Sequence, residues 1–176
     1  FHLALDRPDP KADEAGIAIV TGDTKVVDKG AADGIFINTA GVGEVIEGTD
    51  ISPLNIKLGM KVIVSGYIGD HAATVLGARH GLSLPDTIKS DCAPLCHLTK
   101  AMLDVCPEIA VLRDPTRGGV AATLNELAEQ SGTGIILDEE AIPVRDEVAG
   151  VCDILGFDPL YLANEGKLLA IVPSDK

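Results

Sequence analysis

The chain has 176 residues, enough for one well-filled core or for one domain and part of a second. Hydrophobic residues make up 46% and aromatics only 3%, so the interior must be Val, Ile, Leu and Ala packed between layers, which suits an α/β protein. With 14 basic against 27 acidic side chains the net charge is -13, a field that repels nucleic acid and anionic membrane; no apolar run is long enough to span a bilayer, no basic-then-apolar leader opens the chain, and the expected location is the cytoplasm.

Residues 1–14 carry prolines and charges (DRPDPKADE) and look like a truncated entry to the chain. Residues 16–20 (GIAIV) are wholly apolar, as expected of a strand buried on both faces, and run into a polar turn, Thr21-Gly22-Asp23-Thr24-Lys25. Polar residues at a strand's end are well placed to meet a ligand: Asp23 can hold a divalent cation, a ribose or a proton, and Lys25 can neutralise phosphate oxygens. The same residues also make a plain Gly-Asp turn. Residues 35–46 (IFINTAGVGEVI) have strand composition, with Gly41 and Gly43 marking a bulge or a close backbone approach. A loop-like stretch, residues 47–59, then separates a first unit, 1–46, from a second, 47–176.

The second unit opens with another buried strand, residues 60–64 (MKVIV), followed by a glycine turn at Gly66, Gly69 and Asp70 and a short Ala-rich helix that includes His71. Ser90 or Asp91 can start the next helix, with Leu95, Leu98, Met102 and Val105 as its core stripe. Residues 113–132 (RDPTRGGVAATLNELAEQSG) join an acid, a hydroxyl, a guanidinium and two glycines to an amphipathic helix. Val120, Leu124, Leu127 and Ala128 share its inner face, Asn125, Glu126, Glu129 and Gln130 face out, and Gly132 is the expected left-handed cap. Asp114 can be the N-cap with Pro115 at the first helical position, or Thr116 can be the cap with the helix starting at the glycines. Free backbone N–H groups gather there in either case, the helix dipole favours an anion, and glycines admit it without a Cβ in the way, so a phosphate is the natural candidate. Ordinary helix punctuation has the same appearance.

Residues 133–137 (TGIIL) read as a third buried strand. Pro143 opens a helix with Val148, Val151, Cys152 and Leu155 at core spacing and Gly156 as its stop. Last comes a polar turn, Asn164-Glu165-Gly166-Lys167, ahead of an apolar strand at residues 168–172. Glu165 can act as a general base there, with Lys167 as its ion-pair partner or as a phosphate contact. Cys92, Cys96, Cys106 and Cys152 form no CxxC pair and are expected to be buried reduced thiols, although Cys92 and Cys96 lie four apart beside His97.

Taken in order, GIAIVTGDTKVV (16–27), FINTAGVGEV (36–45), SGYIGDH (65–71), RDPTRGGV (113–120), PVRDEVAGVCDILGFDPL (143–160) and ANEGKLLAIV (163–172) closely resemble the HypE family of hydrogenase maturation factors. The resemblance runs from about residue 15 onward. It implies the fold of a superfamily of ATP-using enzymes that includes aminoimidazole ribonucleotide synthetases, selenide water dikinases and thiamine monophosphate kinases. Residues 1–46 would be the end of an N-terminal, ATP-binding and dimerising domain, and residues 47–176 most of a C-terminal α/β domain that stops before the family's acceptor-cysteine tail.

The implied activity is ATP-dependent dehydration of a carbamoyl group on a C-terminal cysteine to a thiocyanate, which donates cyanide to the iron of a nickel-iron hydrogenase. ATP and magnesium are the implied cofactors. The carbamoyltransferase HypF, the HypC-HypD complex and a second copy of the intact protein are the implied partners, with no nucleic acid and no membrane. By resemblance Asp23 is the metal- or phosphate-binding acid, with Thr24 beside it and Lys25 as a cation near the phosphates. Asp114, Thr116, Arg117, Gly118 and Gly119 form the nucleotide-side turn, and Asn164, Glu165 and Lys167 form the group near the carbamoyl, with Glu165 as base. The turns around residues 23, 114 and 165 are expected to converge on one pocket, and this chain alone is expected to be inactive. The alternatives are a sister kinase or synthetase of the superfamily, or a non-catalytic piece that docks maturation partners.

Overall fold

The computed structural model describes residues 9–82, 84–85 and 87–176, so the first eight residues of the expected chain entry lie outside it. Two compact units divide the chain, residues 1–47 and 48–176.

In the first unit a single turn and a half of helix, α1 (Pro10–Ala15), is capped by the Asp9 carboxylate, which accepts from the N–H of Lys11 at 2.8 Å, and is closed by Gly16 in the left-handed region. Beyond it residues 16–47 form no strand. The strands expected at residues 16–20 and 35–46 are absent, and Val20, Ile35 and Val45 are more than four-fifths exposed. Their composition favours β structure, but a strand is stable only with a ladder partner and a covered face, and these segments have neither among the described residues.

The second unit holds the core. A three-stranded sheet has the order β1-β3-β2, with β3 (Leu169–Val172) between β1 (Lys61–Val64) and β2 (Val111–Arg113) and antiparallel to both. All four β3 residues are buried because both faces of the central strand are covered, which explains why its sequence is apolar without alternation. Ile171 and Leu169, with Val62, Val64 and Val111, face a helix α4 (Gly119–Ser131) through Val120, Leu124 and Leu127. Ala170 and Val172 face a helix α3 (Cys96–Val105) through Met102 and Leu103, with Cys106 and Ile109 filling between. Helices α2 (Asp70–His80) and α5 (Asp146–Leu155) pack on each other through Ala73, Val148, Val151 and Cys152. No helix among the described residues is long and apolar enough to cross a membrane.

The expected faces of α4 and α5 form as the periodicity requires, and Gly132 and Gly156 close the two helices in the left-handed region. Other expectations are corrected. Helix α3 begins at Cys96 instead of at Ser90 or Asp91, because a residue before proline avoids helical backbone and Pro94 follows Ala93. Its inner face is accordingly turned, leaving Val105 79% exposed and bringing Leu103 in. Residues 133–137 are not a strand; Ile136 is exposed, and the segment walls an apolar cavity of about 610 Å³ against β1, β3 and α4. The third strand is instead β2, formed in the short apolar run between Pro107 and Asp114. Of the four cysteines, Cys106 and Cys152 are buried, whereas Cys92 and Cys96 are exposed.

Candidate functional site

Register decides where the polar turns go. Val64 pairs with Leu169, and Leu169 pairs with Arg113, so the end of β1, the end of β2 and the start of β3 share one edge of the sheet. The turn after β1 (SGYIGDH), the turn after β2 (DPTRGG) and the turn before β3 (NEGK) therefore meet there. Ser65 secures the first to the third, its N–H donating to the Leu168 carbonyl at 3.0 Å and its Oγ accepting from the Leu168 N–H at 2.9 Å.

Asn164 is the knot of this edge. Its side chain is fully buried; Oδ1 accepts from the Gly69 N–H at 2.8 Å, and Nδ2 donates to the carbonyls of Pro115 at 3.1 Å and Leu162 at 2.9 Å. Its own backbone N–H donates to the Pro115 carbonyl at 3.2 Å. All three turns are thus joined by one side chain. Asn164, expected in the group near the carbamoyl, has its amide buried and bonded to protein atoms, and it positions the turns.

The nucleotide-side turn is also differently built from its sequence expectation. Neither Asp114 nor Thr116 caps α4: the N-cap position is Gly118, with φ 78° and no side-chain cap, and the Thr116 carbonyl accepts from the Gly119 N–H at 3.0 Å. Gly119 is buried with its Cα against the carbonyls of Leu160 and Leu162, where a Cβ would lie 2.6 Å from the latter, so protein and not ligand occupies the space a side chain would need. Asp114 and Arg117 are exposed, Thr116 is half-buried, and neither the Asp114 carboxylate nor the Arg117 guanidinium pairs with a side chain among the described residues.

Glu165 lies at the rim with its side chain exposed, while its backbone N–H donates to Asp91 Oδ1 at 3.1 Å. Lys167 does not pair with Glu165, as its sequence position suggested. Its Nζ lies 3.1 Å from Asp91 Oδ2, with both side chains largely buried. Asp91 is the residue that sequence reasoning missed, having been assigned at most to a helix start; its signal was an acid in an otherwise small and apolar stretch (DCAPL). Nearby, His71 Nδ1 is 2.9 Å from Ser90 Oγ and 3.9 Å from Cys92 Sγ. Asp70, at the start of α2, is buried, with Oδ2 accepting from Arg145 Nε at 3.2 Å and the Arg145 guanidinium 4.2 Å above the Tyr67 ring.

The remaining candidates belong to the other unit. Asp23, Thr24 and Lys25 are exposed, and the Asp23 carboxylate accepts from the Thr24 N–H at 2.8 Å, the geometry of a local turn. Among the described residues no group of three or more His, Cys, Asp or Glu side chains is arranged to hold a metal ion.

Comparison with known proteins agrees with this architecture. The chain is 54% identical over 165 residues to carbamoyl dehydratase HypE of Azotobacter vinelandii, covering 94% of this chain and 48% of the relative. A solved structure of hydrogenase maturation protein HypE in complex with ATP superposes with TM-score 0.91 at 48% identity, covering 94% of this chain and 49% of the other. A HypE-HypF complex gives TM-score 0.89 at 49% identity, with coverages of 94% and 54%. The chain spans about half the length of the curated relatives it matches. Residues 57–176 match the family described as AIR synthase related protein, C-terminal domain. By that match, which takes in most of unit two, the chain belongs to the AIR synthase-related proteins.

Proposed function

We propose that this chain works within a protein about twice its length that dehydrates a carbamoyl group on a C-terminal cysteine to a thiocyanate at the expense of ATP, the step that prepares cyanide for nickel-iron hydrogenase. The observation that carries the proposal is the convergence of three turns on Asn164, with exposed Glu165, Asp114 and Arg117 on turns bonded to each other. The high identity to proteins named carbamoyl dehydratase supports the same reading.

A carboxamide oxygen is a poor leaving group. ATP supplies the remedy by phosphorylating it, after which the oxygen departs with phosphate and the nitrogen gives up its protons to leave a C≡N bond. This chain's share is to place charge and a base. Arg117, exposed at the foot of α4, is the cation for phosphate oxygens, and the positive end of the α4 dipole adds potential beside it. Glu165 takes the nitrogen proton, its main chain held by Asp91 so that the carboxylate projects from a fixed point. Asp23 and Lys25 are the proposed phosphate and metal contacts of the first unit.

Exposed Ile35, Phe36, Ile37 and Val45 support a homodimer built through the first unit of the intact protein. HypF and the HypC-HypD complex are the proposed partners and the cytoplasm the proposed location, the first supported by the likeness to a HypE-HypF complex.

The test is mass spectrometry of the intact, carbamoylated protein with ATP. Loss of the mass of one water from the modified cysteine, slowed about 10²–10⁴-fold in Glu165→Gln, is the expected result. No ATP-dependent loss of water would sink the function, and an unaltered rate in Glu165→Gln would remove Glu165 from its role.

A further inference from the structure

We propose that Asp91 is a positioning residue that keeps Glu165 available as a base by holding Lys167 away from it. The inference rests on the reading of residues 164–167 as the substrate-side turn. Lys167 and Glu165 are two residues apart on one turn, so Glu165 is the nearest acid in sequence to which a lysine released by Asp91 would turn. Asp91 prevents this from a loop 74 residues away in sequence from Glu165. Its side chain is only 3% exposed and is divided between two tasks, with Oδ2 3.1 Å from Lys167 Nζ and Oδ1 accepting from the Glu165 N–H at 3.1 Å.

A third contact makes the seat specific. The main chain of Asp91 lies directly against Gly166, where an added Cβ would collide with the Asp91 carbonyl oxygen and lie 2.7 Å from its carbon. Only glycine fits between the two residues that Asp91 holds. The turn is thus gripped through three consecutive residues, while the Glu165 side chain is left exposed and the Lys167 side chain is 13% exposed. A charge that would compete for the base is neutralised, and the base's main chain is fixed.

Two measurements test this. In the 176-residue chain, an amine-acylating reagent read by peptide mass spectrometry should label Lys167 slowly, and at least about ten-fold faster in Asp91→Asn, where the ammonium loses its counter-charge. In the intact protein, Asp91→Asn should lower kcat about ten-fold or more with KM for ATP within about two-fold, since the base is misplaced while nucleotide contacts persist. Adding Lys167→Met to Asp91→Asn should restore part of that kcat, because no cation is left to take Glu165. Asp91→Glu should fall between wild type and Asp91→Asn in both measurements, and it carries the test if Asp91→Asn does not fold.

A packing role alone would give no recovery with Lys167→Met, and that result overturns the proposal. Unchanged acylation or unchanged kcat in Asp91→Asn, or an Asp91→Glu protein at wild-type kcat, overturns it equally. If wild-type intact protein shows no ATP-dependent dehydration, the proposed function falls, and the acylation contrast still decides whether Asp91 holds Lys167.

Discussion

Residues 16–20 and residues 168–172 are near-twins in composition, GIAIV and LLAIV, yet they have opposite fates. The first is exposed and unpaired; the second is the buried centre of the sheet. The difference lies outside the segments. β3 has β1 and β2 on its two edges and α4 and α3 over its two faces, whereas residues 17–47 have no ladder partner among the described residues. An apolar run states a capacity for strand, and neighbours turn that capacity into structure.

The contrast predicts a graded set of effects. Leu127→Ala, in the layer between α4 and the sheet, should cost about 2–5 kcal/mol in urea unfolding, because it opens a cavity in a close-packed core. Comparable cost would not be expected anywhere in residues 17–47. Asn164→Ala should follow at about 2–4 kcal/mol, since it strands the buried Gly69 N–H and frees the three turns from each other. Gly166→Ala should cost about 1–3 kcal/mol by forcing the Asp91 loop away, read as a lowered thermal midpoint together with faster acylation of Lys167.

Cys152 gives a smaller, pH-dependent effect. Burial pushes its thiol up, with the carboxylates of Asp153 and Asp158 adding to the shift. The unfolded chain then releases the thiol proton first, so this stabilisation is complete below the unfolded thiol's pKa of about 8.5 and is lost as pH rises through the folded value. Urea midpoints between pH 8 and pH 10, as orders of magnitude on the pH scale, should fall more steeply in wild type than in Cys152→Ala. Smallest of all, Val20→Ser and Val45→Ser should each change stability by less than about 0.5 kcal/mol; a larger loss would mean the first unit has a packed interior.

Much of the second unit was legible because its signals are local. Helical spacing marked the buried faces of α4 and α5, glycines marked their ends, and LLAIV marked the central strand. Tertiary choices were not legible. Sequence placed a strand at residues 133–137 and none at β2, because pairing depends on which run the fold lays beside β3, and VLR is only three residues long. At the site, Glu165 was identifiable as an exposed acid in a turn, but Lys167's partner was not, since Asp91 is brought to it from a distant loop. Asn164 and Gly119 carried the residue types of a ligand contact, and burial reassigned both to holding protein against protein.

Amide hydrogen exchange, resolved by residue in wild type and in Asn164→Ala, tests the central claim most directly. The account predicts strong protection across β3 and at the Gly69 amide, little across residues 17–47, and loss of protection at Gly69 and through the 114–119 and 164–168 turns when Asn164 is removed. A Gly69 amide that exchanges freely in wild type, or that stays protected in Asn164→Ala, would contradict it.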